Sequence, residues 1–177
     1  MAKQELDWIT IKGFKSIGSI EKLPLRDINV VIGPNGSGKS NFIGVFSFLN
    51  AIREGRLQDY VTVAGGAEKV LHFGSKTKKI ELHISFEEEK NQYSLTLSPT
   101  NTDELFPTEE YAYFWNKDRY NEPYGQGVIR KGKEAGIAEG NTTLTRLDKS
   151  KLENWLEDYS LGQLWGKNEL GGRPSKA

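Results

Sequence analysis

An α/β fold with a mixed sheet, an antiparallel hairpin and one helix entered through a glycine-rich loop is what this sequence predicts. Three observations carry that expectation. Ile28-Asn29-Val30-Val31-Ile32 is a short, apolar, β-branched run, the pattern of a strand buried on both faces of a parallel sheet. Asn41 to Arg53 carries Phe42, Val45, Phe46, Leu49 and Ile52 at helical spacing, widened by Ile43 and Phe48. Ile80, Leu82, Ile84 and Phe86 alternate with polar residues, and Tyr93, Leu95 and Leu97 do so again after a polar turn at residues 87–91. Period two on both sides of a turn reads as a hairpin.

Between the first strand and the helix stands the most informative stretch, "NVVIGPNGSGKSNFIGVF", residues 29–46. Gly33, Gly38, Lys39 and Ser40 fit G-x-x-x-x-G-K-[ST]. Strand, glycine loop and helix in that order are what a phosphate cradle needs. The glycines permit positive φ and a close wrap around an anion. Successive N–H groups then point inward, and the helix adds the positive end of its dipole. Lys39 supplies a point charge for the β- and γ-phosphates, and Ser40 a hydroxyl for Mg²⁺, which takes few protein ligands. The candidate nucleotide-binding residues are therefore Gly33, Pro34, Asn35, Gly36, Ser37, Gly38, Lys39, Ser40 and Asn41. ATP and Mg²⁺ are the expected ligand and metal.

Composition sets the bounds. At 177 residues the chain can bury a core. It holds 24 basic and 24 acidic residues, so charge gives no support for a nucleic-acid partner. The short basic runs at residues 76–79 and 130–133 read as solvated loops. There is no cysteine, which excludes a disulfide framework and thiolate metal sites and fits a reducing cytoplasm. His72 and His83 lie apart and read as core or surface residues, not as metal ligands. No apolar run reaches bilayer length, and no signal peptide is evident at the N-terminus.

Along the rest of the chain, residues 8–11 and 20–23 read as strands, with Pro24 ending the second. Residues 57–73 mix helix signals with a break at Gly65-Gly66. From Ser98 to Gly140 the pattern is loop-rich. Leu152, Trp155, Leu156 and Tyr159 give a short amphipathic helix, followed by a Gly/Pro tail. The expected division is a lobe at 1–137 and a C-terminal segment at 138–177.

"IKGFKSIGSIEKLPLRDINVVIGPNGSGKSNFI" resembles the opening of the RecF/SMC-like branch of ABC-type ATPases. There a short strand and an F-K-S element precede the Walker A loop. Residues 54–137, with "VAGGAEKVLHFG" and "YFWNKDRYNEPYGQG", resemble a group of bacterial AAA-family ATPases in that branch. The resemblance implies a P-loop NTPase lobe like an ABC ATPase head, and it places Lys15 and Ser16 near the nucleotide. It also implies a Walker B strand ending in Asp-Glu, a glycine-rich signature and a switch histidine. None is recognisable. "LHISFEEE" alternates, "LTRLDK" has too few apolar residues, and too little sequence follows "YSLGQ" for a Walker B. Residues 142–174 resemble the C-terminal end of the same group. The chain thus reads as two ends of a longer ATPase joined near residues 135–141, in an exposed loop, and as an incomplete lobe. An engineered fusion, a natural deletion and a remnant gene would all read this way. Two functions follow: an ATP-binding ATPase lobe, or a non-catalytic module that docks on a full-length partner or a second copy. The catalytic residues stay unknown.

Overall fold

The computed structural model describes residues 6–74, 77–128 and 133–138. The helix expected at 152–159 and most of the C-terminal segment lie outside them. Two strands open the chain, β1 (Leu6–Phe14) and β2 (Ile17–Pro24). Three helices follow: α1 (Lys39–Arg53), α2 (Leu57–Ala64) and the single-turn α3 (Ala67–Val70). Four strands complete the fold, β3 (Ile80–Phe86), β4 (Asn91–Pro99), β5 (Leu105–Phe114) and β6 (Tyr124–Gly127). The six strands form one sheet in the order β2-β1-β3-β4-β5-β6, and every pairing is antiparallel.

One face of the sheet is apolar, the other polar, as period two requires. Ile9 and Ile11 of β1, Ile80, Leu82 and Ile84 of β3, and Tyr93, Leu95 and Leu97 of β4 are all buried on the apolar face. The helices cover that face. Val45, Phe46, Phe48, Leu49 and Ile52 of α1 join the same core, with Phe48 stacked on Phe14 at 5.2 Å between centroids. Leu57 and Val61 anchor α2, and Ala67 and Val70 anchor α3. Left-handed Gly65 ends α2, where the Gly65-Gly66 break was expected.

The hairpin forms as expected, with Ile80 opposite Leu97 and Phe86 opposite Asn91. Glu87, Glu88 and Glu89 make its turn, all at positive φ. The Asp7 carboxylate holds them there by accepting from the N–H groups of Glu88 and Glu89.

Three expectations are corrected. Residues 28–32 belong to no strand of the sheet; Ile28, Val30 and Ile32 are 83%, 76% and 89% exposed. The reason is local as well as global. Leu25 still donates to the Asp7 carbonyl, but Asn29 then closes a turn with Arg26, in both directions, and turns the chain away from β1. A strand also needs a neighbour to satisfy its backbone, and the sheet ends at β2. The parallel component of the expected mixed sheet is therefore absent among the described residues.

Second, residues 105–114 and 124–127, expected as loop, are strands β5 and β6. Third, the segment at 135–137 is not an exposed loop: Ala135 and Ile137 are buried in the core. Buried Glu110 of β5 binds it by accepting from the N–H groups of Gly136 at 2.7 Å and Ile137 at 3.0 Å. Glu134 then accepts from the N–H groups of Leu57 and Gln58 and so caps α2.

Candidate functional site

The glycine loop, residues 33–38, runs directly into α1. Gly38 is the residue before the helix and sits at φ +93°, and Gly36 at φ +81°. Both values fall in the left-handed region, which side chains other than glycine enter at a cost. The Ser37 N–H donates to the Pro34 carbonyl and tightens the loop. No side chain caps α1, and its first turn carries no acidic residue. The first-turn N–H groups of a 15-residue helix are thus left facing the loop, as an anion site requires.

Lys39 folds over the loop. Its ammonium donates to the carbonyls of Gly33 at 2.6 Å and Pro34 at 2.7 Å. The cation is thereby held against the loop. Ser40, the residue expected to hold Mg²⁺, is exposed in the first turn of α1. No cluster of three or more His, Cys, Asp or Glu suited to a metal occurs among the described residues. The polar groups gathered here are the loop's backbone, the Lys39 ammonium and the Ser40 hydroxyl.

The loop borders a cleft of about 850 Å³. Gly33, Pro34, Ser37, Gly38 and Lys39 line one end. Most of the remainder is apolar, with Ile17, Ile20, Leu23, Leu25 and Phe42 beside the residues at 28–32, and Ser16 and Ser19 among them. This apolar wall was not expected as part of the site. Phe42 read as a core position of the helix, and residues 20–23 and 28–32 read as strands.

Lys15 and Ser16, paired by sequence, part company in space. Ser16 lines the cleft, and its hydroxyl accepts from Asn41 Nδ2 at 2.7 Å. Lys15 points elsewhere. Its ammonium donates to the Tyr60 hydroxyl at 3.2 Å and lies 5.4 Å from the Phe14 and Tyr60 ring centroids. It lines a separate cleft of about 450 Å³ with Ser47, Asn50 and Asp59. Of the pair expected near the nucleotide, only Ser16 lines the cleft beside the glycine loop. Lys15 has φ +48° at the β1–β2 turn, which sends consecutive side chains to opposite sides. Sequence reasoning also passed over His72, whose ring Nδ1–H donates to the Lys15 carbonyl at 2.7 Å from behind that turn.

No described helix is long and apolar enough to cross a membrane. Comparison with known proteins adds the lineage. The AAA ATPase domain family (AAA_15) matches residues 5–156. The chromosome partition protein Smc of Gloeobacter violaceus is 29% identical over 150 residues, covering 75% of this chain and 12% of the relative. The structural maintenance of chromosomes protein 1 of Arabidopsis thaliana is 43% identical over 47 residues, 27% of this chain and 3% of the relative. The chain therefore spans a small fraction of the curated relatives it matches. With an uncapped helix behind a glycine loop and a family match over most of its length, the chain belongs to the AAA ATPase domain family, a nucleotide-binding ATPase family with SMC proteins among its relatives.

Proposed function

We propose that residues 33–40 are a Walker A loop that binds Mg-ATP or Mg-ADP, in the lobe of an ABC-type ATPase. The observation that carries this reading is the first turn of α1. It has no side-chain cap and no acid, and Lys39 is poised over it. Gly33 to Gly38 would cradle the phosphates, Lys39 would pair with the β- and γ-phosphates, and Ser40 would bind Mg²⁺. Asn41 supports Ser16 at the rim. Mg²⁺, held by Ser40, would neutralise phosphate charge. A cytoplasmic site, where ATP is abundant, suits this reading.

The test is calorimetric titration with Mg-ADP. Lys39→Ala removes a charge-assisted contact of roughly 1.5–3 kcal/mol, so affinity should fall at least about tenfold. Equal affinity in the two proteins would refute the reading.

A second reading has its own support. Four apolar side chains at 28–32 are exposed, Val31 at 43% and the others more so. Apolar on both faces and unpaired, this run suits burial between other strands. The module would then dock on a longer ATPase that supplies them, and the division at 1–137 and 138–177, joined near 135–141, would be the seam between two ends of such a protein. A homodimer built on the same edge is the variant of this reading within one chain. Phosphate release that appears only on mixing with a full-length relative would support docking.

A further inference from the structure

Ser16 reaches the glycine loop from a turn that is held from behind. Three hydrogen bonds do the holding. The His72 N–H donates to the Gly13 carbonyl at 2.9 Å, and the Lys15 N–H donates to the Val70 carbonyl at 2.8 Å. The third uses a side chain: His72 Nδ1–H donates to the Lys15 carbonyl at 2.7 Å. The ring fills the space under the turn, with Nε2 3.2 Å from where a Cβ on Gly18 would stand. On the other side of the turn, Ser16 Oγ meets Asn41 at 2.7 Å and approaches Gly38.

The two backbone bonds align the chain around the turn. Neither fixes the peptide that joins Lys15 to Ser16. That peptide is planar, so anchoring its carbonyl oxygen fixes the Ser16 nitrogen as well, and with it the direction in which Ser16 projects. The anchor matters more because Lys15 sits at φ +48°, a conformation a side-chain-bearing residue leaves unless held.

We propose that His72 is a positioning residue of the nucleotide site. Through the Lys15 carbonyl it sets Ser16 Oγ against Asn41 and Gly38 at the entry to α1. The proposal rests on the reading of residues 33–40 as a nucleotide site. It gives a role to the histidine of "VLHFG", which touches neither the glycine loop nor the cleft.

The experiment is a double-mutant cycle read by Mg-ADP calorimetry, with urea unfolding of each protein alongside. Loss of one hydrogen bond at the turn should weaken affinity about five- to tenfold in His72→Ala. His72→Asn places an amide N–H near the Nδ1 position and should restore affinity to within about twofold. In a Ser16→Ala background, His72→Ala should weaken affinity no further, because both changes act through one contact. A purely structural histidine would lower the urea midpoint and leave affinity unchanged, which would overturn the proposal. So would an equal affinity loss with and without Ser16. Should His72→Ala not fold, His72→Asn against His72→Gln decides. Glutamine carries its amide beyond the Lys15 carbonyl, so it should bind Mg-ADP more weakly than asparagine; equal affinities would overturn the proposal. Absence of Mg-ADP binding by the wild-type chain would instead overturn the nucleotide site itself, and the role of His72 with it.

Discussion

Ser16 Oγ stands 2.6 Å from the point that a Cβ on Gly38 would occupy. A methyl group at residue 38 therefore meets two penalties. The left-handed φ costs roughly 1–2 kcal/mol for a residue with a Cβ. The serine must also rotate away from Asn41, giving up a hydrogen bond worth about 1 kcal/mol. Gly36 shares the left-handed φ but has open space around it. Gly38→Ala should thus destabilise more than Gly36→Ala in urea unfolding. In a Ser16→Ala background the two should cost about the same. A difference that survives removal of the serine hydroxyl would show that Ser16 is not the obstacle.

Glu110 is the buried acceptor on which residues 133–138 depend. Its carboxylate takes the Tyr93 hydroxyl at 2.9 Å as well as the Gly136 and Ile137 N–H groups. Glu110→Ala leaves these buried donors without that acceptor and should cost on the order of 3 kcal/mol. Tyr93→Phe removes one donor and should cost about 1 kcal/mol. Glu134→Ala removes the cap of α2, again about 1 kcal/mol. Urea midpoints decide. A Glu110→Ala protein as stable as Tyr93→Phe would mean the segment holds by its apolar contacts, Ala135 and Ile137, alone.

These contacts show why some of the fold was legible and some was not. The hairpin was plain because apolar residues alternate with polar ones from Ile80 to Phe86 and from Tyr93 to Leu97. Strand β5 hid because its inward positions include Pro107 and the charged Glu110, and a bulge between Thr96 and Leu97 shifts the register beside it. A glutamate reads as surface until its partners are known, and they lie 17 and 26–27 residues away. Residues 28–32 failed in the opposite sense. Their composition is that of a buried strand, but a strand exists only with neighbours, and one segment's composition does not say whether neighbours are there. The glycine loop was the most legible part, since its requirements are local: positive φ, no side-chain cap and one lysine. The family resemblance named Lys15 and Ser16 together, but the two line different clefts, because adjacent residues at a turn need not share a side.

His83 gives the chain a pH dependence with a definite sign. It lies on the polar face of the sheet, edge-on to Trp8 at 4.9 Å and stacked on Tyr113 at 5.6 Å. Burial lowers its pKa from the ordinary 6.5; the hydrogen bond to Gln92 opposes this, and the Lys22 charge adds to it. A histidine with a depressed folded pKa binds fewer protons when folded than when unfolded. Its contribution is fully present above 6.5 and is lost as pH falls from there towards the folded value. Stability should therefore decline as pH falls below 6.5. His83→Phe keeps the ring contacts and removes the titration, so its decline over that interval should be shallower. Parallel declines would assign the effect to other groups.

The last expectation concerns turnover: this chain alone should release no significant phosphate from ATP. Phosphoryl transfer leaves the protein little covalent work, and its rate comes from placing a water in line and neutralising charge that develops on the γ-phosphate. A phosphate cradle binds substrate and transition state about equally, which raises affinity more than rate. Turnover needs a carboxylate to orient the water. The cleft beside the glycine loop is lined by no Asp or Glu among the described residues. The densest acidic run after a strand, Glu87 to Glu89, is spent on the β3–β4 turn, where the Asp7 carboxylate ties down its backbone and Trp8 Nε1–H donates to Glu89 at 2.9 Å. Phosphate release should be measured on the chain alone, on Lys39→Ala, and on a mixture with a full-length relative. Release by the isolated chain that vanishes in Lys39→Ala would defeat the expectation and require an acid from residues beyond the described ones. Release only in the mixture would mean that the partner supplies the carboxylate, with residues 28–32 as the edge across which the two meet.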